Sequence, residues 1–254
     1  MCLFDTHCHL DDERFNEDRE EVIASLQSAG IDKCVCVGSD LPSSERCLAL
    51  SRRYPFIYAA CGVHPHEAEK ALENYLSVLE EMLKEKKAVA LGEIGLDYYY
   101  DFSPRDTQKS VFSAQLDLAC RLDKPVIMHI RDAHNEALEL LRSRSQLPRG
   151  IVHCFSGSAE IMKEYVKMGF YISFAGPVTF KKAPRLQEAA ALVPADRLLA
   201  ETDSPYLAPE PVRGRRNDPR NVRYVVEKLA EIRHATFEET AALTEKNASV
   251  LYGI

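Results

Sequence analysis

The sequence predicts an α/β fold: a single (β/α)8 TIM-type barrel domain spanning residues 1–254. Three observations carry this reading. Eight short apolar runs alternate with helix-length segments. Spread over 254 residues they give about 32 residues per unit, close to the roughly 30 of a strand–helix–strand element. Metal-ligand side chains fall at the carboxyl ends of five of those runs. An open doubly wound sheet fits the alternation too, but it would spread those ends along an edge. The first strand-to-helix turn also lacks the GxGxxG of a dinucleotide site. A closed barrel gathers the ends at one mouth, where active sites of that fold lie.

The elements follow in order. Strand one is read over Leu3–His7, and the helix Arg19–Ala29 stops at Gly30, a residue suited to a helix C-cap. Strands two and three are Cys34–Gly38 and Ile57–Gly62. The helix Leu72–Lys84 leads to strand four, Ala88–Glu93. In the helix Gln108–Leu122, Val111, Phe112, Gln115, Leu118 and Ala119 recur at helical spacing and define an inward face. Strand five, Pro125–Ile130, precedes the helix Asn135–Arg144. Strand six, Ile151–Phe155, precedes the helix Ser158–Lys167, and Gly169 follows. Strands seven and eight are Phe170–Phe174 and Leu198–Asp203. Short runs rich in Val and Ile are what strands covered on both faces look like.

Composition sets the limits. A hydrophobic fraction of 46% with 28% charged residues is that of a globular chain, which excludes disorder, collagen-like repeats and a coiled coil. Acidic residues outnumber basic ones, 39 to 32, for a net charge of −7. A polyanion must therefore be met by a local basic patch. No apolar run approaches the ~18 residues of a membrane span. The start, Met1-Cys2-Leu3-Phe4-Asp5, lacks the basic-then-apolar pattern of a secretory signal, so a cytoplasmic location is expected. The eight cysteines lie largely within apolar runs and are read as reduced core residues.

Strand one ends in Asp5-Thr6-His7-Cys8-His9, strand four in Glu93, strand five in His129, strand six in His153, and strand eight in Glu201-Thr202-Asp203. Residues i and i+2 of a strand share a face, so His7 and His9 point together into the mouth and Cys8 points away. Two neutral imidazoles and a carboxylate suit a divalent ion such as Zn²⁺. His129 and His153 suit a companion ion, Glu93 can bridge the two, and Asp203 can ligate the first ion and reach its water. Singly, each histidine also reads as a core or surface residue. Jointly, buried ionisable groups at five strand ends require pairing or a metal.

These residues resemble the TatD family of metal-dependent hydrolases, among the amidohydrolase-like barrels. The matching stretches are Asp5-Thr6-His7-Cys8-His9-Leu10, Gly62-Val63-His64-Pro65-His66, Gly92-Glu93-Ile94-Gly95-Leu96-Asp97-Tyr98, His129 with Arg131, His153-Cys154-Phe155-Ser156-Gly157, Glu201-Thr202-Asp203-Ser204-Pro205-Tyr206, and Pro211-Val212-Arg213-Gly214 with Asn217 and Pro219. The resemblance runs in order over essentially the whole chain. It implies a TIM-type barrel, a divalent-metal site and phosphodiester hydrolysis, with DNase activity the usual family assignment. The family's metal ligands fall on His7, His9, Glu93, His129, His153 and Asp203, none of them substituted.

The mechanism expected is attack on phosphorus by water activated between two divalent ions (Zn, Mg, Mn or Fe), with Asp203 orienting that water and accepting its proton. Glu201 reads either as catalytic or as a carboxylate orienting a ligand from behind. Phosphate contacts are expected from His64, alternatively a loop histidine fixed by Pro65. They are also expected from Arg213 in the basic stretch Arg213–Arg220, alternatively a solvated loop. Tyr98-Tyr99-Tyr100 reads as a base-stacking surface or as loop packing. His134 and His234 read as surface residues, and the acidic run Asp11–Glu21 as decoration of a helix start.

The expected substrate is nucleic acid, single-stranded DNA foremost, with no membrane and no obligate protein partner, the chain acting as a monomer. Three other functions compete. One is ester hydrolysis on D-aminoacyl-tRNA, because the resembling family has such deacylases among its relatives. Another is amide hydrolysis of a small molecule, disfavoured because Glu93 stands where related barrels carry a carbamylated lysine. The last is a non-catalytic binding barrel.

Overall fold

The computed structural model describes residues 2–71 and 73–254. Met1, and Leu72 at the start of one expected helix, lie outside the described residues. Among the described residues run the strands β1 (Leu3–Cys8), β2 (Ile31–Val37), β3 (Ile57–Cys61), β4 (Ala88–Asp97), β5 (Val126–Arg131), β6 (Gly150–Val152), β7 (Tyr171–Phe174) and β8 (Leu198–Ala200). They form one sheet in the order β1 to β8, with every adjacent pair parallel.

The ring closes through the segment after β8. The amide of Asp203 donates to the His7 carbonyl at 2.9 Å, and that of His9 donates to Ser204 at 2.7 Å. Cys8 and Ser204 form a parallel bridge. The helices α1 (Arg19–Leu26), α2 (Leu41–Arg53), α3 (Tyr75–Met82), α4 (Arg105–Leu122), α5 (His134–Arg142), α6 (Ala159–Lys167), α7 (Pro184–Leu192), α8 (Val222–Arg233) and α9 (Phe237–Tyr252) alternate with and follow the strands. This is the (β/α)8 TIM-type barrel that the sequence predicts. None of its described helices is long and apolar enough to cross a membrane.

Two apolar layers follow from strand alternation. Phe4, Val35, Val37, Ala60, Val89, Ile127, Ile151 and Leu199 fill one cluster, to which α9 adds Leu251 and Tyr252. Residues of opposite parity, such as Leu3, Cys34, Cys36 and Met128, pack in the other cluster with helix residues such as Leu48, Leu116 and Leu229. The cysteines are free thiols; Cys8, Cys34, Cys36, Cys47 and Cys61 are buried and Cys2 is exposed.

Strand ends differ from the sequence reading where the backbone turns. β6 stops before His153 because Cys154 is left-handed (φ 42°), and β8 stops at Ala200, ahead of Asp203 (φ 55°). Neither conformation continues a strand. β4 instead runs four residues past Glu93, because Gly95 (φ 146°) lets the β5 backbone approach. A Cβ there would stand 2.0 Å from the His129 carbonyl oxygen. Helix α2 is set by a capping box: Asp40 accepts from the Ser43 amide at 2.7 Å and Ser43 Oγ accepts from the Asp40 amide at 2.9 Å.

Candidate metal centre

β1 delivers His7 and His9 to the mouth, on either side of Cys8, whose thiol turns outward to the Val35 carbonyl at 3.3 Å. Their Nε2 atoms are 3.1 Å apart. Asp203 Oδ1 lies 3.7 Å from His7 Nε2 and 3.5 Å from His9 Nε2. From β4, Glu93 places Oε2 3.6 Å from His7 Nε2 and 3.7 Å from His9 Nε2. Its other oxygen faces the opposite way: Oε1 is 2.8 Å from His129 Nδ1 and 2.7 Å from His153 Nε2. One buried carboxylate thus faces both histidine pairs.

The rear nitrogens decide which ring atoms face inward. His9 Nδ1 donates to the Val37 carbonyl at 2.7 Å, which leaves Nε2 to carry the lone pair of the neutral ring. Asp97 Oδ2 accepts from His129 Nε2 at 3.0 Å, and Glu201 Oε1 lies 3.2 Å from His153 Nδ1. Such partners set the tautomer and raise the basicity of a metal-ligating imidazole. Glu201 is fully buried and also accepts from the Cys154 amide at 2.7 Å.

Asp5, likewise buried, accepts from the Thr202 amide at 2.8 Å and ties β1 to the segment after β8. Burial, only partly offset by its Thr202 bonds, pushes the Asp5 carboxyl well above the usual range.

Charge at the centre is uneven. Burial opposes a charged Glu93, but His153 and His64, with hydrogen bonds from His129 and His153, hold it well below the usual range. Burial likewise opposes protonation of His9, yet the Asp203 hydrogen bond and the charges of Glu93 and Asp203 raise it to about 10. The carboxylates attract positive charge, and metal ions and protons compete for the same lone pairs. Ligand atoms of His7, His9 and Glu93 lie within 4.8 Å of one another, as do those of His7, His153 and Asp203 and those of His64, Glu93 and His129. Converging imidazole nitrogens and carboxylate oxygens, oriented from behind, fit divalent cations.

Other sequence-selected residues are placed differently. His64 stands at the centre, with Nε2 3.5 Å from Glu93 Oε1. Burial lowers it to about 4. The Arg213 guanidinium stacks over Phe180, 4.2 Å from the ring centroid and 3.8 Å from Glu210, apart from the central cavity wall. In the same stretch Arg216 pairs with Asp18 and Arg220 with Asp218. His134 is not a surface residue: it is half-buried, with Nδ1 3.2 Å from the Tyr165 hydroxyl. Asp11, Asp12 and Glu13 line the mouth; Asp12 also caps the 3-10 turn Glu13–Phe15, and Glu20 and Glu21 stand in the first turn of α1, the helix-start placement expected of this run.

Sequence reasoning named no role for Asp97 or His66, whose Nε2 also reaches Asp97 Oδ2, at 2.9 Å. Asp97 is four residues beyond Glu93 on an extended strand, so it shares that face; the available signal was the period of the strand.

The cavity above the centre has a volume of about 610 Å³ and is lined by His9, His64, Glu93, His129 and Asp203, with Arg46, Arg131, Tyr100 and Tyr206 among the surrounding residues. A smaller apolar pocket of about 220 Å³ adjoins it at His153, Phe155, Pro177 and Leu186.

A parallel α/β barrel with this centre at the carboxyl ends of its strands defines a metal-dependent hydrolase. The chain belongs to the family described as TatD related DNase, whose profile matches residues 4–253. It is 46% identical, over 99% of each chain, to YabD of Bacillus subtilis (strain 168), named as an uncharacterized metal-dependent hydrolase. It is 34% identical to the 3'-5' ssDNA/RNA exonuclease TatD of Escherichia coli (strain K12), again over 99% of each chain. The crystal structure of YJJV, a TATD homolog from Escherichia coli K12, superposes with a TM-score of 0.93 at 33% identity, covering 99% of this chain and 98% of the other.

Proposed function

We propose that the protein is a divalent-metal-dependent phosphodiesterase that shortens single-stranded nucleic acid, DNA foremost, from the 3' end. One observation carries the reading: Glu93 turns Oε1 to His129 and His153 and Oε2 to His7 and His9. A carboxylate shared in this way suits two cations, one held by His7, His9 and Asp203 and one by His129 and His153, with Glu93 between. Ions bound there supply a lowered water pKa and neutralise the oxygens of an in-line displacement at phosphorus.

The chain's own residues do the rest. Asp203 borders the cavity, where it orients the attacking water and takes its proton. His64, kept neutral, offers phosphate a hydrogen bond without a charge. Arg131 and Arg46 face the same cavity and bring the positive charge that an acidic protein needs near a polyanion. Asp97 and Glu201 position imidazoles and touch no substrate. Relatives named as 3'-5' ssDNA/RNA exonucleases support the substrate class and the direction.

The test loads the protein with Mg²⁺, Mn²⁺ or Zn²⁺ and offers 5'-labelled single-stranded DNA and RNA, an aminoacyl-tRNA and cyclic amides. The expected result is a ladder shortening from the 3' end, abolished by EDTA and restored by metal. Hydrolysis of the aminoacyl ester or an amide, with the oligonucleotides left intact, overturns the reading.

A further inference from the structure

The mouth carries aromatic surface that the chemistry above does not use. Phe102 is 63% exposed, Tyr100 47% and Tyr206 43%. Grouped exposed aromatics on a globular protein mark a contact surface. Tyr98, in the same run, is buried under the Arg105 guanidinium, so the tyrosine run divides into one packing residue and an outward pair.

The Tyr100 and Phe102 rings lie nearly parallel, 5.1 Å apart at 21°. His66 meets both edge-on, and Asp97 holds His66 and His129 together. This surface is therefore tied to the centre through one carboxylate. Tyr206 stands edge-on to His9 at 5.9 Å. Each surface has an arginine on it: Arg131 lies 4.9 Å from the Tyr100 centroid, and Arg14 lies 4.0 Å from that of Tyr206. Aromatic faces beside positive charge are what unpaired nucleic acid stacks upon.

Topology places the two surfaces apart. Tyr100 and Phe102 follow β4 and Tyr206 follows β8, four strands away in a ring of eight, hence across the mouth. Tyr100 and Tyr206 nonetheless line the same cavity as Glu93 and Asp203.

We propose, resting on the phosphodiesterase reading, that Tyr100 with Phe102 and Tyr206 form two nucleobase-stacking subsites on opposite sides of the centre. An unpaired strand crosses the barrel with bases stacked on both sides and the scissile phosphate between them. A duplex cannot use both subsites, because its bases are already paired and stacked, so the arrangement selects single strands with a base on each side of the cut.

The test uses single-stranded DNA carrying 2-aminopurine, whose fluorescence falls on stacking, and the same strand with an abasic residue on either side of the scissile phosphate. Binding is read with metal-loaded Asp203→Asn protein and cleavage with the otherwise unaltered enzyme. Tyr100→Ala with Phe102→Ala, and separately Tyr206→Ala, are expected to weaken binding about tenfold each and to raise KM alike at unchanged kcat. These variants are expected to handle the abasic strand no worse than the parent does, and Tyr100→Phe and Tyr206→Phe to match the parent on both strands.

Unchanged quenching and KM in the alanine variants overturn the stacking proposal, as does a parent that treats abasic and complete strands alike. A parent that cleaves no nucleic acid overturns the phosphodiesterase reading instead. Melting temperatures control for folding, which these exposed side chains leave intact.

Discussion

The two sides of the centre are held differently. On the β5–β6 side each imidazole has a buried carboxylate behind it, Asp97 for His129 and Glu201 for His153. On the β1 side His9 is held by a backbone carbonyl, and His7 Nδ1 has no hydrogen-bond partner among the described residues. A carboxylate donates charge to the ring, whereas a carbonyl mainly orients it.

The acid–base behaviour follows. Burial opposes protonation of His129 and His153, yet Asp97 with Glu93 raises the first and Glu93 with Glu201 raises the second. His7 is lowered, by burial and by the neighbouring His153. His9 is raised, but by Asp203 and Glu93 in front of it rather than by a group behind. Both rings of the β5–β6 side are thus raised with help from a carboxylate behind them, whereas on the β1 side His9 is raised by Asp203 and Glu93 in front and His7 is lowered.

The comparison can be broken at several points. The largest effect is expected from Asp203→Asn, which removes the front carboxylate of the β1 side. Its turnover should fall by roughly 10²–10⁴ in steady-state assays. Its melting temperature should hold, because the barrel-closing bond uses the Asp203 amide, which asparagine keeps. Near-normal turnover with metal bound would remove Asp203 from the chemistry.

A smaller effect is expected from Asp97→Asn. Metal affinity should fall about 10–100-fold for one ion of the proposed pair, read as bound metal across a chelator titration. Equal weakening of both ions would show that the two sides are not independent.

The smallest effect is expected outside the ligand set, at His134. Burial lowers its pKa to about 4, from an unfolded value near 6.5. The unfolded chain therefore binds the proton first, and stability is lost as pH falls from about 6.5 towards 4. In urea melts at pH 7 and pH 4.5, His134→Gln should lose less stability than the parent. The difference is on the order of 2 kcal/mol, given about 1.4 kcal/mol per pKa unit and partial solvent screening. Parallel losses in both proteins would rule out this site as a source of acid sensitivity.

The barrel was legible because strands covered on both faces must be apolar along their length, as Val35, Val37, Ile127 and Ile151 are. Donor types at the strand ends were legible for the converse reason: a buried His or Glu is costly and stands out in an apolar run. Asp97 was missed because strand four was expected to end at Glu93, while Gly95 carries β4 onward against β5. Arg213 was selected for lying in a basic stretch after strand eight, and its partners, Phe180 and Glu210, are tertiary and loop contacts.

By itself the sequence determined the order of strands and helices and the inventory of donor atoms. Both follow from local periodicity and from the cost of burying polar groups. Only the tertiary structure decided which nitrogen of each ring faces the centre and which aromatics stay in solvent. Those outcomes depend on contacts between distant residues, such as Asp5 with Thr202 and His153 with Glu201, which form only when the ring of strands closes.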